Sequence, residues 1–141
     1  MALGSFLHVD APHVRIRFDD YGRSYQPGAV ISGEYQLESF PFEEVRAIEV
    51  SVLWYTEGKG DEDLAVHDFR RLSPEDEGWT DPRLPGRFSS VLPNSPLSYQ
   101  GAIVKIRWCV RVRVFLARGK EVLGEKPFQF GGVRAIKAPA P

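Results

Sequence analysis

The sequence predicts an all-β fold, an antiparallel sandwich of about seven strands. Three observations carry that prediction. One long run alternates strictly between apolar and polar residues, several shorter runs do the same between turn signals, and no segment shows apolar residues at helical spacing. The long run is Ile103 to Leu116 (IVKIRWCVRVRVFL). Val104, Ile106, Trp108, Val110, Val112, Val114 and Leu116 form its even row, while Lys105, Arg107, Arg111 and Arg113 stand at odd positions with Cys109 and Phe115. Alternation of this kind means a strand with one buried face and one wet face. A slip of one residue would bury four cations, so the register is firmly specified.

The remaining elements follow in chain order. His13 to Asp19 alternates, with Val14, Ile16 and Phe18 opposite His13, Arg15 and Arg17, and ends in the turn-rich DDYGRSYQPG. In the next strand Ala29, Ile31, Tyr35 and Leu37 share a parity against Ser32, Glu34, Gln36 and Glu38. Gly33 interrupts that strand, as expected of a bulge or a close backbone approach. Val45 to Tyr55 gives a third strand with Ile48, Val50, Val52 and Trp54 inward and Leu53 outward. The glycine-and-acid loop Glu57 to Asp63 leads to a weaker strand, Leu64 to Leu72, in which Leu64, Val66 and Leu72 oppose Ala65, His67 and Phe69.

Ser73 to Gly86 (SPEDEGWTDPRLPG) has no period and reads as an exposed loop. Arg87 to Leu92 is a short strand before the turn segment PNSPLSYQG and the long run. ARGKE is a tight hairpin turn, and Glu121 to Phe130 returns, with Pro127 indicating an edge or a bend. The expected organisation is a flexible segment over residues 1–12, one domain over 13–131, and a frayed tail over 132–141.

Three segments, in order, resemble the signatures of arrestin-fold domains of the N-terminal type. Tyr25 to Leu37 (YQPGAVISGEYQL) is similar to Y-x-P-G-x-x-(V/I)-x-G. Phe88 to Ser98 (FSSVLPNSPLS) is similar to F-x-F-x-L-P-x-x-x-P-x-S, and Ile106 to Arg113 to the long I-x-(Y/W)-x-(V/I)-x strand that follows it. The strand at Ile48 to Trp54 and the closing E-x-x-F-x-F, Glu125 to Phe130, also fit. The resemblance implies an immunoglobulin-type sandwich and a non-enzymatic cytoplasmic adaptor or scaffold that binds proteins, here as a minimal single-domain member. Arrestins pair two such domains, and this chain has room for one.

Catalytic signatures are sparse. His8, His13 and His67 show no zinc-binding spacing, no G-x-S-x-G elbow occurs, and Gly119-Lys120 lacks the glycine that a phosphate loop would need at Val114. Cys109 has no sequence-adjacent base and reads as a structural thiol. The loop acids Glu57, Asp61, Glu62 and Asp63 lack EF-hand spacing and read as a solvated hairpin. The reading is therefore no enzyme, no cofactor and no metal.

Two features suit a protein partner. Lys105, Arg107, Arg111 and Arg113 share one strand face about 7 Å apart per step, where they would meet a partner's carboxylates or phosphates or pair internally with Glu34, Glu38 or Glu49. Partial pairing is expected, with Lys105 and Arg107 left free. Trp79, alone in its polar loop, is either a binding anchor or a cap on the end of the sandwich.

The composition agrees with a soluble domain. The 141 residues are 43% hydrophobic and 26% charged. A formal charge of −1 gives no bulk attraction to nucleic acid or anionic membrane. The start, MALGSFLHVDAPH, lacks a signal peptide's basic and apolar regions, and no apolar stretch approaches the ~18 residues of a membrane span. A single cysteine excludes an internal disulfide. A cytoplasmic location is expected. A structural or accessory role within a homo-oligomer, such as a homodimer, is the alternative to the adaptor, and an enzyme with an unrecognised site ranks last.

Overall fold

Alternation resolves into eight strands in two antiparallel sheets. The computed structural model describes residues 11–21, 24–58, 60 and 62–131. The strands are β1 (His13–Phe18), β2 (Val30–Glu38), β3 (Val45–Gly58), β4 (Leu64–Leu72), β5 (Gly86–Val91), β6 (Tyr99–Gln100), β7 (Val104–Leu116) and β8 (Glu121–Phe128). One sheet has the order β1-β2-β5. The other runs β4-β3-β7, with β6 and β8 both pairing β7 on its far side. The eighth strand relative to the sequence reading is β6, two residues inside a turn segment and too short to show a period. The segments expected to be flexible or frayed, residues 1–10 and 132–141, lie outside the described residues, as do His8 and Asp61.

The inner faces close as the parity predicts. Ile16, Phe18, Ile31, Tyr35, Leu37, Val50, Val52, Trp108, Val110, Val112 and Val114 are all buried in one core. Trp54 lies on the same face but is only partly buried against that core. It sits opposite Ala65 of the edge strand, where the sheet runs past its cover.

The arrestin-like sequence motifs turn out to be one structural joint at an end of the sandwich. Tyr25 and Phe130 form a parallel bridge. The Tyr25 amide donates to the Gln129 carbonyl at 3.0 Å, and the Leu92 amide donates to the Ala29 carbonyl at 2.8 Å. Ser98 clamps Phe130 twice, its amide donating to the Phe130 carbonyl at 2.8 Å and its Oγ accepting from the Phe130 amide at 2.9 Å. Phe18, Tyr25, Phe88, Phe128, Trp108 and Phe130 fill the space between with edge-on and tilted ring contacts.

The expected faces of β4 are corrected, and so is the exposure expected of the outward Leu53. Val52 pairs with Asp68 but Leu53 pairs with Val66, so a bulge at the edge adds a residue to β4. The bulge puts Leu64, Val66 and Phe69 on the outer face together and leaves Leu72 on the inner one. Sequence alternation alone cannot show such a break. Leu53 does point outward, yet it is 1% exposed rather than an isolated surface residue.

Candidate protein-binding face

The basic row of β7 lies on the outer face of the five-stranded sheet, as its odd parity requires. Cross-strand register sets the neighbours of each cation. Glu57 stands opposite Lys105, Tyr55 opposite Arg107, Ser51 and Glu125 flank Arg111, and Glu49 and Leu123 flank Arg113. Three of the four cations are paired. Arg107 Nε lies 2.5 Å from Glu57, Arg111 Nε 2.5 Å from Glu125, and Arg113 Nε 3.6 Å from Glu121.

Pairing is thus internal, but not with the expected carboxylates. Glu34 and Glu38 belong to β2, in the opposite sheet, whose outer face points the other way. They bind Arg17 and Arg15 instead. Glu49 does stand directly across from Arg113, yet its carboxylate takes Arg71 at 2.6 Å, and that guanidinium also stacks over Phe115. Arg107, expected to be free, reaches diagonally to Glu57 and takes the carboxylate that faces Lys105. Lys105 alone among the four makes no ion pair within the described residues.

Beneath this lattice Leu53 and Cys109 pair across the strands at 1% and 2% exposure. Burial, reinforced by the Glu125 charge, pushes the Cys109 thiol up to about 12, which favours its neutral form. Burial also raises Tyr55, beside the same groups. An open cleft of about 400 Å³ runs over Tyr55, Leu64, Asp63, Arg111 and Glu125. Among the described residues no group of three or more His, Cys, Asp or Glu side chains is placed to hold a metal ion.

The second predicted feature lies elsewhere. Trp79 is half-buried and packs on the core, with its loop held by the Trp79 amide donating to the Asp76 carbonyl at 3.1 Å. It is not brought together with the basic row.

Sequence reasoning missed the apolar tip beside Lys105. Ile103 is 70% and Tyr99 56% exposed, and Val104 is only partly covered. They close the β6–β7 turn next to a cleft of about 260 Å³ that Glu57, Gly58, Ile103 and Lys105 line. The signal was present in Ile103 and Val104, the start of the alternating row, but the row gave no hint that the sheet outruns its cover at that end.

The ion pairs give a direct prediction. Arg111→Glu with Arg113→Glu should place like charges beside Glu125 and Glu121 and lower stability measurably in denaturant melts. Adding Glu125→Arg and Glu121→Arg should restore most of the loss. A doubly reversed variant as stable as the parent would show that the pairs do not hold the hairpin.

No family model matches the sequence, and no curated protein matches it. Solved structures do. The sporulation control protein Spo0M from Bacillus subtilis is similar in fold, with a TM-score of 0.61 at 12% identity over 89% of this chain and 51% of that one. The chain therefore spans about half the length of Spo0M. A superoxide reductase (neelaredoxin) from Ignicoccus hospitalis gives a TM-score of 0.50 at 12% identity, covering 84% of this chain and 80% of that chain. At such identities the likeness establishes the sandwich fold and carries no reaction with it. No helix among the described residues is long and apolar enough to cross a membrane.

Proposed function

We propose that the chain is a non-enzymatic, cytoplasmic interaction module of arrestin-like type that binds protein partners as an adaptor or scaffold. One observation carries the reading. Lys105, the cation of the basic row without an ion pair among the described residues, stands beside the exposed apolar tip of Ile103, Tyr99 and Val104. An unpaired cation next to exposed aromatic and aliphatic side chains suits a protein surface with an apolar contact and a carboxylate. Arg107, Arg111 and Arg113 are engaged by their own neighbours and serve this surface by stiffening the strand that presents it.

The test is affinity capture from the native cell with the parent chain and with Lys105→Gln plus Ile103→Ser, which remove the charge and the apolar tip without setting a carboxylate opposite Glu57. Both positions are away from the core, so folding should change by about 0.5 kcal/mol or less, while specifically retained partners should be lost. An unchanged partner set on the folded double variant would reject this surface.

A further inference from the structure

We propose that two copies of this chain pair antiparallel along β4, centred on Phe69, to join their five-stranded sheets into one continuous sheet. The inference is independent of the partner surface at Lys105 and would stand if that surface failed its test.

The other long edges are occupied. β1 packs under β8, where Gly124 lies so close to Val14 that a Cβ would come within 2.7 Å of it. β5 has two of its outward carbonyls taken from above, as His67 Nε2 lies 2.7 Å from the Val91 oxygen and Arg70 donates to the Arg87 oxygen at 2.8 Å. β4 is different. Among the described residues no strand pairs its outer edge, and seven of its nine residues are exposed, Phe69 by 53%. A long uncovered edge is a template for another strand.

Its backbone direction can be read from one bond. The Thr56 amide donates to the Asp63 carbonyl, so the even residues of β3 turn their amides and carbonyls toward β4. Their partners Asp68, Arg70 and Leu72 turn theirs back toward β3. Phe69 and Arg71 therefore present N–H and C=O to the free edge. A two-fold axis at Phe69 lets the two Phe69 residues exchange both backbone hydrogen bonds.

Charge selects this register over its neighbours. With the axis at Phe69, each Asp68 faces the other copy's Arg70, giving two reciprocal pairs on one side of the sheet, and the Phe69 rings meet on the other. Moving the axis to Asp68 sets carboxylate against carboxylate, and moving it to Arg70 sets guanidinium against guanidinium. Like charges directly opposite are destabilising, and opposite ones stabilise. Asp68 has no ion pair within its own chain among the described residues, so its charge is available to the second copy.

Sedimentation velocity on the full chain across dilution should show a monomer–dimer equilibrium. Asp68→Arg alone and Arg70→Asp alone should each weaken it about tenfold or more, and the paired exchange Asp68→Arg with Arg70→Asp should restore it. Phe69→Cys supplies a test that does not depend on charge. Facing residues at this position come within disulfide reach, and the native Cys109 is buried, so oxidation should give a crosslinked dimer at Phe69→Cys and not at Val66→Cys. A parent chain that stays monomeric at its highest soluble concentration overturns the proposal. So does failure of the paired exchange to restore dimers in a variant that melts like the parent, or crosslinking at Val66→Cys in preference to Phe69→Cys.

Discussion

Trp108→Ala is expected to lower the free energy of unfolding by about 3–5 kcal/mol, the range for removing a large buried aromatic. Trp108 is 1% exposed and stands midway along the strand that pairs with most of its sheet. Its ring lies 5.2 Å from Phe130 and 5.8 Å from Phe128, centre to centre, and 6.1 Å from the His67 ring. Its Nε1 donates to the Pro96 carbonyl at 2.7 Å, so truncation opens a cavity and also strands a carbonyl that the turn segment turns inward. Trp108→Phe should recover the packing share and not the hydrogen bond. Trp79→Ala, at the half-buried end of the core, should cost distinctly less. Denaturant unfolding followed by circular dichroism measures all three, and a Trp108→Ala variant as stable as the parent would mean that the core is not built around this strand.

That joint explains why so much of the fold can be read in the sequence. The alternating row at Val104 to Leu116 reports burial directly, since period-two patterning and a two-faced sheet are the same fact. The turn segment is legible for a different reason. Pro96 and Ser98 hold Trp108 and Phe130 through backbone and hydroxyl groups, so the spacing between them is set by the reach of those bonds. Tertiary accidents left no comparable trace. The extra residue opposite Leu53 reverses the faces of β4, and nothing in LAVHDFRRL announces it. The partners of the basic row were misread because parity fixes the face of a sheet but not which sheet a strand joins. Glu34 and Glu38 have the right parity in the wrong sheet, whereas Glu121 and Glu125, on the return strand of the same hairpin, are the neighbours that topology supplies. The apolar tip beside Lys105 was hidden because exposure at a strand end depends on where the covering sheet stops.

Gly33→Ala is expected to be the most damaging single-methyl change in the chain's smaller sheet. Gly33 sits at the middle of β2, opposite Phe18 on one side and Phe88 on the other. A Cβ there would lie 2.2 Å from the Arg17 carbonyl oxygen and 2.8 Å from the Phe88 ring. The ring could turn aside, but the carbonyl belongs to the neighbouring strand's backbone and can be relieved only by moving β1. That strand carries Phe18, which meets Phe88, Tyr25 and Phe128 edge-on, so the displacement would reach the aromatic joint. Overpacking of this kind costs about 1–3 kcal/mol and more where backbone must shift, and the upper end is expected here. The neighbouring Ser32 provides the control. Its side chain points outward and donates to Asp19 at 2.7 Å on the surface, so Ser32→Ala should cost about 1 kcal/mol or less. Chemical denaturation of the two variants separates the cases, because both lie on the same strand and differ by which way the added or removed atoms point. Equal midpoints would show that β1 yields to the new methyl group and that the glycine's place in the motif has no steric origin.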